Sequence, residues 1–318
     1  MNELFFATLN QMAFLFAFIM IGFVLVKLGC LTQQSAISLS KLENNLFVPA
    51  LIFSTFIENF TIKTFKVAGN LLCMSLLLAV VTLPLTVWIV KKLFKEEFQR
   101  KLTTYALHFS NFGFMGNAVV SAIFPGVFTE YIIFTIPFWT LAYVWGVPTL
   151  LIPAEGNKTS LKNTLKRFIN PMFICILVGA IIGLIALPVP SFILSVAKAS
   201  GSCMSPIAML LTGVMVAKLD LKSLFKHWKN YLVAGCRLVL YPLLFLAVFC
   251  FLPRGALISE TFLICGLCIM AMPTGMTAVF TPAAYGKDTT LATEFTLVTH
   301  LLSLVTIPLI VTLLQYLL

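Results

Sequence analysis

Two short stretches gather the side chains of this sequence best suited to holding a small polar ligand. The first reads Ser110-Asn111-Phe112-Gly113-Phe114-Met115-Gly116-Asn117, and the second Met272-Pro273-Thr274-Gly275-Met276-Thr277 with Pro282 beyond it. Each sets helix breakers beside amide or hydroxyl side chains within an apolar run. A helix broken at membrane depth leaves backbone groups that must be buried in protein or line a cavity. Its half-helix N-terminus carries roughly half a positive charge, and two such ends side by side suit an anion. On this reading Asn111, Asn117, Thr274 and Thr277 orient the ligand, while Gly113, Gly116, Pro273 and Gly275 shape the break. The alternative is a pair of packing kinks in which glycine permits close helix approach.

Ionisable groups inside apolar runs are expensive and point to function. Arg237 is either a counter-charge for the ligand, a brace on the broken helices, or a side chain snorkelling to the interface; Lys198 is expected to snorkel. His108, one turn before Asn111, and His300 titrate near neutral pH. Either carries a coupling proton or packs as a hydrogen-bonded side chain. Glu294 is the remaining acidic candidate, and no Asp or Glu is expected at mid-membrane. Glu43, Asn44 and Asn45 either cap a helix in water or line an access path. The sequence has no HExxH, GxSxG or P-loop. An enzyme is therefore not expected, nor a metal or cofactor.

The elements that must position these residues follow from composition. Of 318 residues, 60% are hydrophobic and 10% charged, and mean hydropathy is +1.04. Soluble domains carry about 25% charged residues. The apolar residues fall in blocks long enough to cross a hydrocarbon core of about 30 Å as helices. Ten spans are expected, at about Asn10–Leu28, Leu39–Ile57, Val67–Val90, Leu102–Phe124, Tyr131–Ile152, Asn170–Leu187, Phe192–Ala217, Tyr231–Leu252, Thr261–Ala284 and Leu291–Leu317. The first lacks the basic start and the short apolar core of a cleaved signal and is expected to remain as a span. The cysteines lie in spans or at a span end, so no disulfide framework is expected, and Cys265 and Cys268 read as small packing residues.

The net charge of +10 is a topology signal. The odd-numbered connections hold Lys27 and Lys41; Lys91, Lys92, Lys95, Arg100 and Lys101; Lys158, Lys162, Lys166 and Arg167; Lys218, Lys222, Lys226 and Lys229; and Lys287. The even-numbered ones have Lys63, Lys66 and Arg254. Cytoplasmic loops collect Lys and Arg, which places both termini outside and gives no reason to invoke nucleic acid. Pro49 and Pro206, Pro84 and Pro242, and Pro148 and Pro308 are separated by a nearly constant offset of about half the chain. That offset suggests an internal duplication. With five helices per half the second copy must be inverted, an architecture recurrent among carriers. The expected division is 1–152 for the first repeat, 153–169 for a cytoplasmic linker and 170–318 for the second repeat. Gly179 and Gly183 form a GxxxG that suits a close helix contact or a dimer.

At these residues the sequence resembles the auxin efflux carrier family, which includes PIN-like transporters and bacterial malate permease-like carriers. The likeness runs through Phe47-Val48-Pro49-Ala50-Leu51-Ile52-Phe53, Ser110 to Gly116, Asn170-Pro171, Pro206, Arg237 with Pro242, and Ala271-Met272-Pro273-Thr274 to Tyr285-Gly286. The resemblance implies an all-α membrane protein of ten helices in two inverted five-helix repeats, with helices 4 and 9 crossing at the substrate site. It also implies an elevator-like motion and a homodimer. Two positions depart from the family pattern, which has proline where Ala118 stands and often asparagine where Thr277 stands. The expected function is a secondary transporter of a small organic anion, malate or another weak carboxylic acid, across a bacterial-type inner membrane. Its partners are the lipid bilayer and a coupling ion, H+ or Na+. A passive anion channel and a non-transporting receptor or intramembrane enzyme are the rival classes.

Overall fold

Apolar runs closed by polar caps become helices throughout, in a computed structural model that describes residues 2–151, 171–217, 227–253, 255, 257–284 and 287–318. The four basic residues from Lys158 to Arg167, Asn170, Lys218, Lys222, Lys226, Arg254, Tyr285 and Gly286 lie outside the described residues, as does the expected linker. The helices are α1 (Asn2–Lys27), α2 (Gln33–Leu42), α3 (Val48–Asn59), α4 (Ile62–Leu93), α5 (Glu97–His108), α6 (Asn117–Ile123), α7 (Phe128–Leu141), α8 (Pro171–Leu184), α9 (Ser191–Ser202) and α10 (Met204–Val216). They continue as α11 (Trp228–Gly235), α12 (Tyr241–Phe249), α13 (Glu260–Ala271), α14 (Thr277–Ala284) and α15 (Thr290–Leu317). Hydroxyl caps start several of them: Thr61 accepts from Thr64 N at α4, and Ser259 from Phe262 N at α13. Asp288 accepts from Thr290 N and Oγ1 at 2.9 and 2.6 Å before α15, and these bonds hold its carboxyl below the usual range.

Helical segments fall within each expected stretch among the described residues, but not all of them are long and apolar enough to count as spans. Six helical runs are long and apolar enough to cross a membrane among the described residues: Glu3–Lys27, Ile62–Leu93, Pro125–Leu151, Ser191–Val216, Trp228–Phe249 and Thr290–Leu317. The others are shorter or broken, as at 33–59, 97–123 and 260–284. Proline explains part of the irregularity, since it removes an N–H and crowds the carbonyl four residues earlier. The wider π-helical turns Glu43–Phe47 and Cys236–Leu240 precede Pro49 and Pro242, and a third, Ala142–Leu151, contains Pro148.

Glycines set the closest packing. A methyl group on Gly22 would overlap the Leu210 carbonyl and one on Gly213 the Ile19 carbonyl, so α1 and α10 touch backbone to backbone. Gly179 and Gly183 do the same for α8 against Phe53 and Phe56 of α3 and Phe60 at its C-terminal cap. The GxxxG is therefore used inside the chain, where it brings α8 onto α3. Helices α4 and α7, α11 and α15, and α13 with α7, α12 and α15 complete the framework. α13 lies at its centre, with every residue from Phe262 to Ala271 buried. Large apolar side chains such as Phe14 and Ile21 of α1, Leu76 and Val80 of α4, and Leu177 and Ile181 of α8 face outward. Exposed apolar surface on that scale suits lipid.

Candidate binding site at the crossing of two broken helices

α5 and α13 each run for 12 residues before stopping. At 1.5 Å per residue that is about 18 Å, enough to bring each to mid-depth in a ~30 Å hydrocarbon core. There the two chains turn extended and pair. Asn111 N donates to Pro273 O at 2.7 Å, Gly275 N donates to Phe109 O at 3.1 Å, and Ser110 and Thr274 form an isolated antiparallel bridge. The breaks thus satisfy each other's backbone, which solves the problem of irregular chain away from water. Gly275 is required here, because an added Cβ would stand 2.9 Å from Phe109 O and 3.1 Å from Ser110 O.

The first break falls at Phe109–Asn111, upstream of the glycines expected to make it. Asn111 caps the π-helical turn Phe112–Gly116, its Oδ1 accepting from Met115 N at 3.4 Å. Gly113 and Gly116 serve the packing of that turn, since a Cβ at either would overlap the Trp139 ring or the Tyr131 hydroxyl. Ala118 is buried within α6, and its carbonyl accepts from Gln11 Nε2 at 3.3 Å.

Two helix C-termini meet at the crossing, and Arg237 joins them. Its side chain is fully buried, with Nε donating to Met272 O and Nη1 to Leu107 O, both at 2.9 Å, and Nη2 to Ile269 O. The carbonyl ends of α5 and α13 carry partial negative charge that the guanidinium offsets. Its other side lies over the Tyr241 ring, 5.5 Å from the centroid. Arg237 is buried and bonded inward to both helix ends, so it does not reach the interface as a snorkelling side chain would. Lys198 is half-exposed and pairs with Glu58 at 2.5 Å.

α15 holds the crossing from one side. Thr274 Oγ1 is 3.0 Å from Thr299 Oγ1 and donates to Thr296 Oγ1 at 3.4 Å, while Thr274 N donates to Thr299 Oγ1 at 3.2 Å. His300 Nδ1 donates to Thr296 O at 2.7 Å, which leaves Nε2 to accept from Asn111 Nδ2 at 3.0 Å. His108 stands apart in an aromatic setting, 4.6 Å from Phe109 and 6.3 Å from Phe138 by ring centroid, with neither nitrogen hydrogen-bonded among the described residues. Glu294 lies elsewhere again, near the start of α15, accepting from Asn230 Nδ2 at 2.9 Å and 3.1 Å from His227 Nδ1.

A cavity of about 20 Å³ opens at the crossing between Ser110, Asn111, Gly275 and Thr277 and the rings of Tyr105, Phe109 and Trp139. It has room for a water and none for a carboxylate. Asn111 and Thr277 line it; Asn117 and Thr274 are buried and do not line it. Trp139, stacked on Tyr143 at 5.5 Å, and Phe114 separate this cavity from a vestibule of about 160 Å³ that Asn44, Asn45, Val48 and Met172 also line. At the other end of the bundle, Asn59, Lys63, Asn70, Glu130 and Ser259 border a larger cavity of about 650 Å³.

The sequence profile of a family described as membrane transport protein matches residues 7–311. The chain belongs to this auxin efflux carrier family. Among curated proteins none matches it. Membership makes the chain a multi-pass membrane transporter with a small-molecule substrate. Thr296, Thr299, Tyr105 and Trp139 join the site beside the residues anticipated from sequence. The polar face Thr296, Thr299, His300 and Ser303 was visible as an i, i+3, i+4, i+7 pattern in an apolar span. No pattern marks the two aromatics.

Proposed function

We propose that the chain is a secondary transporter of small organic anions, a dicarboxylate such as malate or another weak carboxylic acid, working by alternating access. What supports this most is the pairing of the two breaks around a buried Arg237. With the C-terminal ends of α5 and α13 neutralised, the N-terminal ends at Phe112 and Thr277 set a positive field at the crossing. Asn111, Asn117, Thr274 and Thr277 orient the carboxylate there, in a conformation wider than the closed one. Opening requires the Trp139 and Phe114 rings to leave the wall between cavity and vestibule.

The packing favours two inverted five-helix halves. α1 lies on α10 and α8 lies on α3. Exchanging each helix for its counterpart half a chain away turns the first pair into the second. In this arrangement the Lys- and Arg-rich connections face the cytoplasm, and both termini lie outside a bacterial-type inner membrane.

Counterflow in liposomes tests the reading. Vesicles loaded with unlabelled malate should take up labelled malate transiently and saturably, with other carboxylates screened alongside. Flux without counterflow would indicate a channel, and binding without flux a receptor. Either result across the carboxylate panel would overturn the carrier reading.

A further inference from the structure

Glu43 opens the π-helical turn between α2 and α3, and its side chain has no exposure. Neither carboxyl oxygen has a hydrogen-bond partner among the described residues. The turn packs against α2, α3, α8, α9 and α10. None of them brings a charge to Glu43: Lys41 of α2 is exposed, and Glu58 of α3 and Lys198 of α9 pair with each other. α8 offers only the Cys175 thiol, and α10 has no ionisable residue. A carboxylate stripped of water and partners is strongly disfavoured and takes up a proton instead.

The next two residues are placed quite differently. Asn44 and Asn45 are exposed and line the vestibule that reaches Gly113 and Trp139. One residue along a helix is a rotation of about 100°. A π-helical turn holds one extra residue, a feature frequent at functional sites. With α3 held, relaxing it into an α-helical turn rotates Glu43 by about that step out of its buried place, toward the exposed position that Leu42 now holds.

We propose that Glu43 is a proton-binding site, neutral in the present conformation and releasing its proton from the carboxyl oxygen to water when the π-helical turn relaxes and brings the carboxyl to the surface. Its use as the coupling site rests on the carrier reading above. His300 is then a packing residue of the crossing and His108 one of the aromatic cluster with Phe109 and Phe138, and the proton travels through the α2–α3 turn.

Two measurements on the full-length protein in lipid decide it. The infrared difference between the parent and Glu43→Gln at neutral pH should contain a protonated-carboxyl C=O band that the variant lacks. Malate uptake driven by a pH gradient should fall at least tenfold in Glu43→Gln, with equal-pH malate counterflow within twofold of the parent. Glu43→Asp, which keeps the ionisable group, should restore much of the pH-driven uptake. An absent difference band, or pH-driven uptake unchanged in Glu43→Gln, overturns the proposal. Should the parent show no counterflow of any carboxylate, the carrier reading and the coupling role fail together, while the infrared band still decides whether Glu43 holds a proton.

Discussion

A guanidinium buried in the middle of a membrane protein is tolerated here because three carbonyls at two helix ends receive it. Lysine keeps the charge, but its compact ammonium lacks the planar fork that reaches Leu107, Ile269 and Met272 together. Arg237→Lys should lose at least one charge-assisted bond, about 1.5 to 3 kcal/mol. The check is thermal unfolding of purified protein, followed by labelling of the buried Cys265 and Cys268 after the exposed thiols are blocked. An unchanged midpoint would show that the brace contributes nothing. Arg237 was conspicuous in the sequence as a charge within an apolar run, yet its role was open, because spacing cannot tell a side chain reaching for the interface from one aimed at carbonyls. Glu43 was harder still. It sits in a run of three polar residues of which it alone is buried, and only the turn's geometry separates it from Asn44 and Asn45.

Among the helices, close approach rather than side-chain chemistry sets the geometry that positions the crossing. α1 meets α10 through Gly22 and Gly213, and the added methyl of Gly213→Ala would meet the Ile19 carbonyl. Overpacking of this kind costs about 1 to 3 kcal/mol. Gly69 of α4 has open space around it, so Gly69→Ala should be neutral or gain up to about 1 kcal/mol from helix propensity. Comparing the unfolding midpoints of the two variants checks this, and equal midpoints would contradict the packing account. The neighbourhood of the two breaks was legible from Pro273, Gly275 and the small polar residues, but the first break falls upstream of the glycines expected to make it. Their pairing was not, since a bridge between Ser110 and Thr274 depends on tertiary placement of segments far apart in the chain. The π-helical turns before Pro49 and Pro242 were also hidden, because proline announces a distortion without saying which kind.

At the scale of the molecule, a membrane transporter whose central cavity has room for one water is closed around its crossing. Alternating access requires another conformation in which the same crossing admits an anion. The membrane class and the helix positions could be read from hydropathy, since lipid imposes length and apolarity on every span. The cavities could not, because they depend on where Trp139, Tyr105 and Phe114 place their rings. The central claim is that the anion binds between the two breaks, and calorimetry on purified, monodisperse protein with malate, or the carboxylate giving the highest counterflow, tests it most directly. A lost hydrogen bond to a charged group is about 1.5 to 3 kcal/mol, and each 1.4 kcal/mol is about tenfold in affinity. Asn111→Ala and Thr277→Ala should each therefore weaken binding by about ten- to a hundredfold, while Ser38→Ala on the exposed side of α2 should leave it unchanged. Parental affinity in both crossing variants, with the protein still folded, would contradict the account and place the anion elsewhere.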